Sequence, residues 1–280
     1  MKHLINTIDY DKTINIAKNM NDNYKKSVYL HCYWNGNLSE KHLYSIMSCY
    51  YFNKKHKIML WLDNNIENNF NNEINKYCEI RNFNLKNELK NTFMENAHIV
   101  YYSDKIEELS NFYRLVLLYN YGGCWFDLDT FFLRNLDPLF CKFENEICYF
   151  QWQNQNYPSN GFIISLEKKS DKLKYIMEYV IKRKRGWGSQ NSYFNYELPL
   201  DILALPCSWF SPAWIDNPLI EKENFDLFFK KTDKKYTLDT YFNGAFCYHW
   251  HNRWNYIIEE DSIFDQLSKE ILNKLEITSI

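Results

Sequence analysis

A chain of 280 residues is long enough to bury a substantial core, and one large domain is expected. Hydrophobic residues make up 46% of the chain and charged residues 24%, which indicates a globular protein and excludes a disordered one. The net charge of −2 gives no basic field for a nucleic-acid partner. The cysteines lack paired zinc spacing, the first residues lack an apolar leader core, and no run of about 20 apolar residues could form a transmembrane segment. We therefore expect a cytoplasmic protein, either free or peripheral to a membrane.

Strands and helices alternate in the first part of the chain. A polar helical stretch over 1–24 precedes a strand-like run over 27–34, which ends in an Asn-Gly turn. A helical pattern over 38–53 and a second buried strand over 57–65 follow. This order predicts βαβ units and a mainly parallel sheet. Residues 64–97, rich in Asn, Lys and Glu with spaced apolar positions, predict a small helical insertion.

The second part continues the alternation without a linker or a repeat. Further strands are predicted at 98–102, 124–133, 146–153 and 160–167, and residues 203–214 resemble a strand with an irregular aromatic loop. Further helices are predicted at 107–121, 172–184 and 257–280. The prediction is a single α/β domain over 1–280, with a mixed, mainly parallel sheet flanked by helices.

Two aspartates, Asp127 and Asp129, lie within the predicted strand over 124–133. In a strand they would point to the same face, where two half-buried carboxylates would cost several kcal/mol unless a cation neutralised them. Oxygen ligands suit Mn²⁺ or Mg²⁺, which keep positions open for a substrate diphosphate. A solvent-exposed edge strand could carry the same triplet. This triplet, however, lies among aromatic residues directly after a helix and a Gly-Gly turn, so we predict a metal–diphosphate site.

The stretch LSNFYRLVLLYNYGGCWFDLDTFF, residues 109–132, resembles the signature of the DXD-containing family-32 sugar transferases. That grouping includes initiating mannosyltransferases and many capsule and lipooligosaccharide enzymes. The stretch is also similar to the catalytic domain of the large clostridial glucosylating toxins. The resemblance implies a Rossmann-like GT-A fold and transfer of a hexose from a nucleotide-sugar to a glycan, glycolipid or protein hydroxyl. It further implies retention of the anomeric configuration by front-face attack, with UDP favoured by the toxin likeness and GDP by the mannosyl relatives.

Two flanking stretches extend the resemblance. YLHCYWNGN resembles the family's first strand, which implies that Trp34 stacks on the nucleotide base; plain core packing is the alternative. YHWHNRWN resembles the closing motif of the bacterial members, which implies that Trp250 and Trp254 contact the diphosphate. The spacing to Trp254 favours His249 as the metal or phosphate ligand, and His251 is the second candidate. The remaining alternative is that both histidines are core residues.

Three polar residues complete the predicted site. The resemblance implies that Arg114 reaches sugar hydroxyls or phosphate and acts in catalysis with Asp127 and Asp129, although a structural salt bridge to Asp127 would also explain it. Asn111 stands where the family usually has an aspartate that binds the donor sugar, so the sugar's identity stays open. Asn160 matches the loop that faces the reacting sugar.

Two other classes of protein compete with this reading. A metal-dependent phosphohydrolase could use the same aspartates but would need further clusters of Asp, Glu and His. A carbohydrate-binding module would account for the aromatic residues and the acidic pair. The helix, Gly-Gly turn and DXD order favours the transferase over both.

Overall fold

The computed structural model describes residues 2–5, 9–63, 70–96, 106–151, 158–183, 202–215 and 224–277. The strands in these ranges are β1 (Lys2–His3), β2 (Tyr29–Trp34), β3 (Lys57–Asp63), β4 (Glu79–Phe83), β5 (Gly123–Phe126), β6 (Thr130–Phe132), β7 (Ile147–Gln151), β8 (Pro158–Ser165), β9 (Leu203–Pro206) and β10 (Cys247–His249). The helices are α1 (Tyr10–Lys18), α2 (Glu40–Phe52), α3 (Asn71–Ile74), α4 (Leu85–Leu89), α5 (Ile106–Tyr121), α6 (Asp137–Lys142), α7 (Asp171–Arg183) and α8 (Ile263–Ile277).

Eight of these strands form one sheet in the order β1-β9-β7-β8-β5-β2-β3-β4. Its neighbouring strands are parallel except where β8 pairs antiparallel with β7 and with β5. The remaining strands, β6 and β10, pair antiparallel with each other. The prediction of a mixed, mainly parallel sheet is confirmed.

Buried side chains fill both faces of the large sheet, as expected for strands covered on two sides. Alternate residues of β2 face opposite layers: Leu30 and Cys32 pack into the layer that contains α2 and α8, whereas Tyr33 packs into the layer of α5 and α7. The strand ends that carry the predicted site residues therefore lie between two packed layers.

The described ranges depart from the predicted elements in several places. Residues 2 and 3, predicted to belong to a polar helical stretch over 1–24, form the strand β1, which pairs parallel with β9. Residues 70–96 contain the expected short helices but also the edge strand β4, which pairs parallel with β3. Its residues are mostly half-buried or exposed and give little alternation from which a strand could be predicted. The last helix begins at Ile263, because the Ser262 hydroxyl accepts a hydrogen bond from the Asp265 amide and caps it. The strand predicted at 98–102 lies outside the described residues.

One buried histidine of β2 has its neutral form fixed by two hydrogen bonds. The Trp61 indole N–H donates to His31 Nδ1 at 3.2 Å, and His31 Nε2 lies 3.0 Å from the Gly122 carbonyl oxygen, to which it donates as the N–H tautomer. Burial lowers the pKa of His31 to about 4, and the hydrogen bond to Gly122 offsets only part of this effect. Protonation of the folded protein would also break the bond from Trp61.

We expect this histidine to make the fold sensitive to acid. The unfolded chain gains a proton on His31 near pH 6.5 and the folded chain only near pH 4, so stability is lost as pH falls between these values. The loss amounts to about 3 kcal/mol at 1.36 kcal/mol per pH unit. His31→Gln offers a donor and an acceptor without titrating, so urea unfolding at pH 7 and pH 4.5 should show a smaller loss in the variant. Equal losses in the two proteins would contradict the prediction.

Candidate active site

The segment that leads into the DXD triplet needs two adjacent glycines. Gly122 and Gly123 have φ values of +65° and +120°. A Cβ on Gly122 would lie 2.3 Å from the Leu166 carbonyl oxygen, and one on Gly123 would lie 2.1 Å from the Tyr29 carbonyl oxygen. Only glycine allows α5 to end and β5 to begin at once beside β2.

The DXD triplet lies in a bend between two strands. A single strand over 124–133 was predicted, but β5 ends at Phe126 in the large sheet and β6 begins at Thr130 in the small one. The buried Leu128 anchors the bend in the core, and the Asp127 amide donates to the Gly161 carbonyl at 2.9 Å. The two carboxylates therefore come together because the chain turns from one sheet to the other.

The small sheet brings His249 to Asp129 from 120 residues further along the chain. His249 is paired with Thr130 in the ladder between β10 and β6, and its Nε2 lies 2.8 Å from Asp129 Oδ1. The Asn252 amide donates to Asp129 Oδ2 at 2.7 Å, and the Trp250 amide donates to the Asp129 carbonyl at 2.9 Å. Each oxygen of this buried carboxylate thus has a partner.

The protonation states of this pair follow from that contact. Burial acts to raise the pKa of Asp129, but the charge and hydrogen bond of His249 and the Asn252 amide outweigh burial and lower it below its usual value. Burial acts to lower the pKa of His249, but the charge of Asp129 and the hydrogen bond to it outweigh burial and raise it. Asp129 is therefore ionised at neutral pH.

Asp127 contacts Trp125 and Arg114, which belong to the layer that contains α5 and α7. The Trp125 indole N–H donates to its Oδ1 at 2.8 Å, and Arg114 Nη1 lies 3.3 Å from the same oxygen. The Arg114 guanidinium is buried, lies 4.9 Å from the Trp125 ring centroid, and donates to the Asn160 carbonyl and to Ser110. The salt bridge considered from the sequence is thus present, and it leaves Asp127 Oδ2 facing Gly161.

Asp127, Asp129 and His249 each offer one ligand atom, and these three atoms all lie within 4.8 Å of one another. Two carboxylates and one imidazole fit a divalent cation that also takes water or phosphate oxygens. Gly161 keeps this space open, because a Cβ there would lie 3.0 Å from Asp127 Oδ2 and 3.4 Å from His249 Cε1. The cluster is a candidate metal site.

His251 lies next to this cluster but its ring is used elsewhere. Its ring centroid is 4.0 Å from that of His249, yet its Nε2 accepts from the Trp214 indole at 2.7 Å and lies 2.8 Å from Ser211 Oγ. Burial, followed by the charge of His249, lowers the pKa of His251 well below its usual value. Between the two histidines, the geometry favours His249 as the ligand.

The predicted stacking residue Trp34 lies at the end of β2 with its ring partly exposed. Its indole N–H donates to the Asn37 carbonyl at 3.1 Å. The His42 and Trp254 rings lie 4.2 and 4.7 Å from it, measured between centroids, and these two rings stack on each other at 4.2 Å with an interplanar angle of 9°. Trp34 and Trp254 are therefore brought together, whereas Trp250 is fully buried in the core.

The two asparagines of the predicted sugar site are also in contact. Asn160 Nδ2 donates to Asn111 Oδ1 at 2.7 Å, and both residues are half-buried. The Asn160 carbonyl accepts from Arg114, which connects this pair to Asp127. Residues from α5, β8 and the DXD bend thus form one connected group.

Sequence reasoning missed two contributors to the site. Trp125 gave no signal because alternate aromatic residues in a strand usually indicate core packing. The Asn252 contribution is a backbone amide, which side-chain patterns do not report. Asn252 has φ +59°, a left-handed conformation that asparagine tolerates better than most residues. Its residue type was therefore the local signal in the sequence for a turn at this position.

The chain is similar to known glycosyltransferases in part of its sequence and in its fold. Residues 39–147 match the model of the glycosyltransferase sugar-binding region containing DXD motif. The glycosyltransferase GlyE of Streptococcus pneumoniae TIGR4 is 14% identical with a TM-score of 0.54; the likeness covers 91% of this chain and 64% of the GlyE chain. An active-site mutant of LgtC is 11% identical over 89% of this chain and 95% of its own, with a TM-score of 0.45. The PaToxG glycosyltransferase is 16% identical over 66% of this chain and 75% of its own, with a TM-score of 0.43.

No curated protein sequence matches this chain. At these identities the likeness to GlyE establishes the fold, and the chain spans less than two thirds of the GlyE chain. The family match covers the DXD triplet and α5 but not the tail that carries His249. Together the matched region and the fold confirm the resemblance to DXD-containing sugar transferases of the GT-A type.

In the part of the chain that the structure describes, no helix is long and apolar enough to cross a membrane.

Proposed function

We propose that the protein is a metal-dependent, retaining glycosyltransferase that moves a hexose from a UDP-sugar, or a GDP-sugar, to a hydroxyl acceptor. The observation that carries the proposal is the cluster of Asp127, Asp129 and His249 at the DXD bend of a glycosyltransferase fold. The acceptor is a glycan, glycolipid or protein, and polysaccharide synthesis in the cytoplasm, free or at a membrane surface, is the setting we propose.

Asp127, Asp129 and His249 would hold Mn²⁺, or Mg²⁺. The nitrogen ligand favours Mn²⁺, because Mg²⁺ prefers oxygen ligands and keeps more of its water. When bound, the cation acts as a Lewis acid that stabilises the charge of the departing nucleoside diphosphate. Asp129 is suited to be the direct ligand because it is already ionised and is oriented by the Asn252 amide.

The residues around the cation would bind the rest of the donor. Arg114 contacts Asp127 and the Asn160 carbonyl, and the Asn160 side chain contacts Asn111. We place the transferred sugar beside Arg114, Asn111 and Asn160. Trp34 would stack on the nucleotide base, with Trp254 beside it. The fully buried Trp250, whose indole N–H has no hydrogen-bond partner among the described residues, would reach the diphosphate only if the tail rearranged.

A panel of nucleotide-sugars tests this function directly. The protein is incubated with each donor and Mn²⁺, and released nucleoside diphosphate is measured, with EDTA as the matched control. We expect release of UDP or GDP that depends on the metal, because donor hydrolysis accompanies transfer when acceptor is scarce. Inorganic phosphate as the product would favour the phosphohydrolase, and sugar binding without any release would favour the carbohydrate-binding module.

Trp34 gives a second, independent test of the nucleotide site. Trp34→Ala is expected to weaken UDP or GDP binding by roughly 10- to 100-fold, since stacking of a base on an aromatic ring contributes about 1–3 kcal/mol. Isothermal titration in the presence of Mn²⁺ measures the affinity, with Tyr175→Ala, an exposed aromatic residue on α7, as the control. Unchanged affinity in a stably folded Trp34→Ala protein would remove Trp34 from the site.

A further inference from the structure

Lys41, the second residue of α2, is a buried cation. Only 4% of the residue is exposed, and its Nζ donates to the carbonyls of Arg253, Trp254 and Tyr256 at 2.5, 3.3 and 2.6 Å. The same ammonium lies 3.8 Å from the centroid of the Phe229 ring. Among the described residues no carboxylate lies within ion-pair distance of it, and burial lowers the pKa of Lys41 to about 8.

This environment links Lys41 to one short piece of chain. A buried ammonium is costly unless its three N–H donors find acceptors. Here all three acceptors come from four consecutive residues of the tail segment, defined as residues 250–256. The ammonium is satisfied only while the tail segment keeps this conformation, so it stabilises that conformation in return.

The tail segment also forms one wall of the candidate active site. Its Asn252 amide donates to Asp129 Oδ2, and its Trp250 amide donates to the Asp129 carbonyl. His249 immediately precedes it and contacts Asp129 Oδ1. The next residue of α2, His42, stacks on Trp254, so the first turn of α2 holds the tail segment at two adjacent points.

We propose that Lys41 is a positioning residue for the cation and donor site: by binding the carbonyls of residues 253, 254 and 256 it holds His249 and the Asn252 amide against Asp129. This inference rests on the proposed function, because it assigns the cluster to a cation. Lys41 would act only through these carbonyls, and not as a ligand of the cation or the donor. Without its ammonium the ligand atoms remain in the chain, but the cation must bring them together when it binds.

The test compares Lys41→Met, which keeps the length of the side chain but removes the charge, with wild type. We expect the Kd for Mn²⁺, measured by calorimetry without nucleotide, to rise at least tenfold. We expect kcat at saturating Mn²⁺ and donor to fall less than threefold. Amide hydrogen exchange in the metal-free protein should speed up at least tenfold in residues 250–256 and stay unchanged in α5. Lys76→Met, at an exposed lysine paired with Glu73, is the matched control and should change none of these values.

An Mn²⁺ Kd within twofold of wild type in folded Lys41→Met would overturn the proposal, and so would faster exchange spread evenly over the chain. If this variant does not fold, Lys41→Gln is the second test, because its side-chain amide can still donate to some of the three carbonyls. We expect a three- to tenfold rise in its Kd for Mn²⁺, and an unchanged Kd would overturn the inference. Failure of the proposed function looks different. In that case wild-type protein binds no Mn²⁺ at all, or Asp129→Asn binds it as well as wild type does.

Discussion

Asp129→Ala is expected to lower kcat/KM for the donor by roughly 150- to 5,000-fold, which corresponds to about 3–5 kcal/mol of transition-state stabilisation. The variant removes the one carboxylate of the cluster that is both buried and ionised. It also leaves His249 without its partner and the Asn252 amide without an acceptor. The measurement is the rate of nucleoside diphosphate release at saturating Mn²⁺.

Asp129→Asn separates the charge from the shape of the side chain. The amide oxygen can still accept from Asn252, so the fold should survive, whereas the loss of charge should still weaken Mn²⁺ binding strongly. Asp137→Asn, which changes a carboxylate paired with Lys55 and His56, serves as the control. Near-normal turnover of either Asp129 variant at saturating Mn²⁺ would exclude Asp129 as the metal ligand.

The sequence was sufficient for the parts of the fold that depend on local pattern. The alternation of strand and helix around β2, α2 and β3 follows hydrophobic periodicity, and the end of α5 follows from the glycine pair. The sequence also led to two hypotheses for Arg114, contact with the donor or an ion pair with Asp127, and the ion pair is present. These features arise from neighbouring residues, or from a charge that cannot stay unpaired in an apolar helix.

The arrangement at the DXD bend could not be predicted in the same way. A period of two describes Cys124 to Phe126 and again Thr130 to Phe132, but it does not reveal that the chain changes sheets between them. The choice between His249 and His251 depends on where β10 ends and on the bond from Trp214 to His251. Contacts of this kind join residues far apart in the chain, and one sequence does not record them.

The buried guanidinium of Arg114 carries the other large expected effect. It joins Asp127, the Asn160 carbonyl and Ser110, and it lies over the Trp125 ring. Arg114→Met fills similar space but leaves Asp127 without its cation and the Asn160 carbonyl without this donor. Removing one partner of a buried ion pair costs about 3–5 kcal/mol, and the partial exposure of Asp127 places the expected loss of unfolding free energy nearer 2–3 kcal/mol. Urea unfolding measures this loss.

Arg114→Lys distinguishes a role in the reaction from a role in the fold. A lysine restores the positive charge beside Asp127, but a single ammonium lacks the planar fork that serves Asp127, Asn160 and Ser110 together. If Arg114 positions the donor sugar, this variant should fold and bind Mn²⁺ with a Kd close to that of wild type, while its kcat falls at least tenfold. If Arg114 only neutralises Asp127, kcat should stay within twofold once the variant is folded and saturated with metal. The two roles give different results because the lysine restores a positive charge beside Asp127 but does not restore the hydrogen bond that orients Asn160. The Asn160 side chain contacts Asn111 in the proposed sugar site, so a change in its orientation would affect the donor sugar.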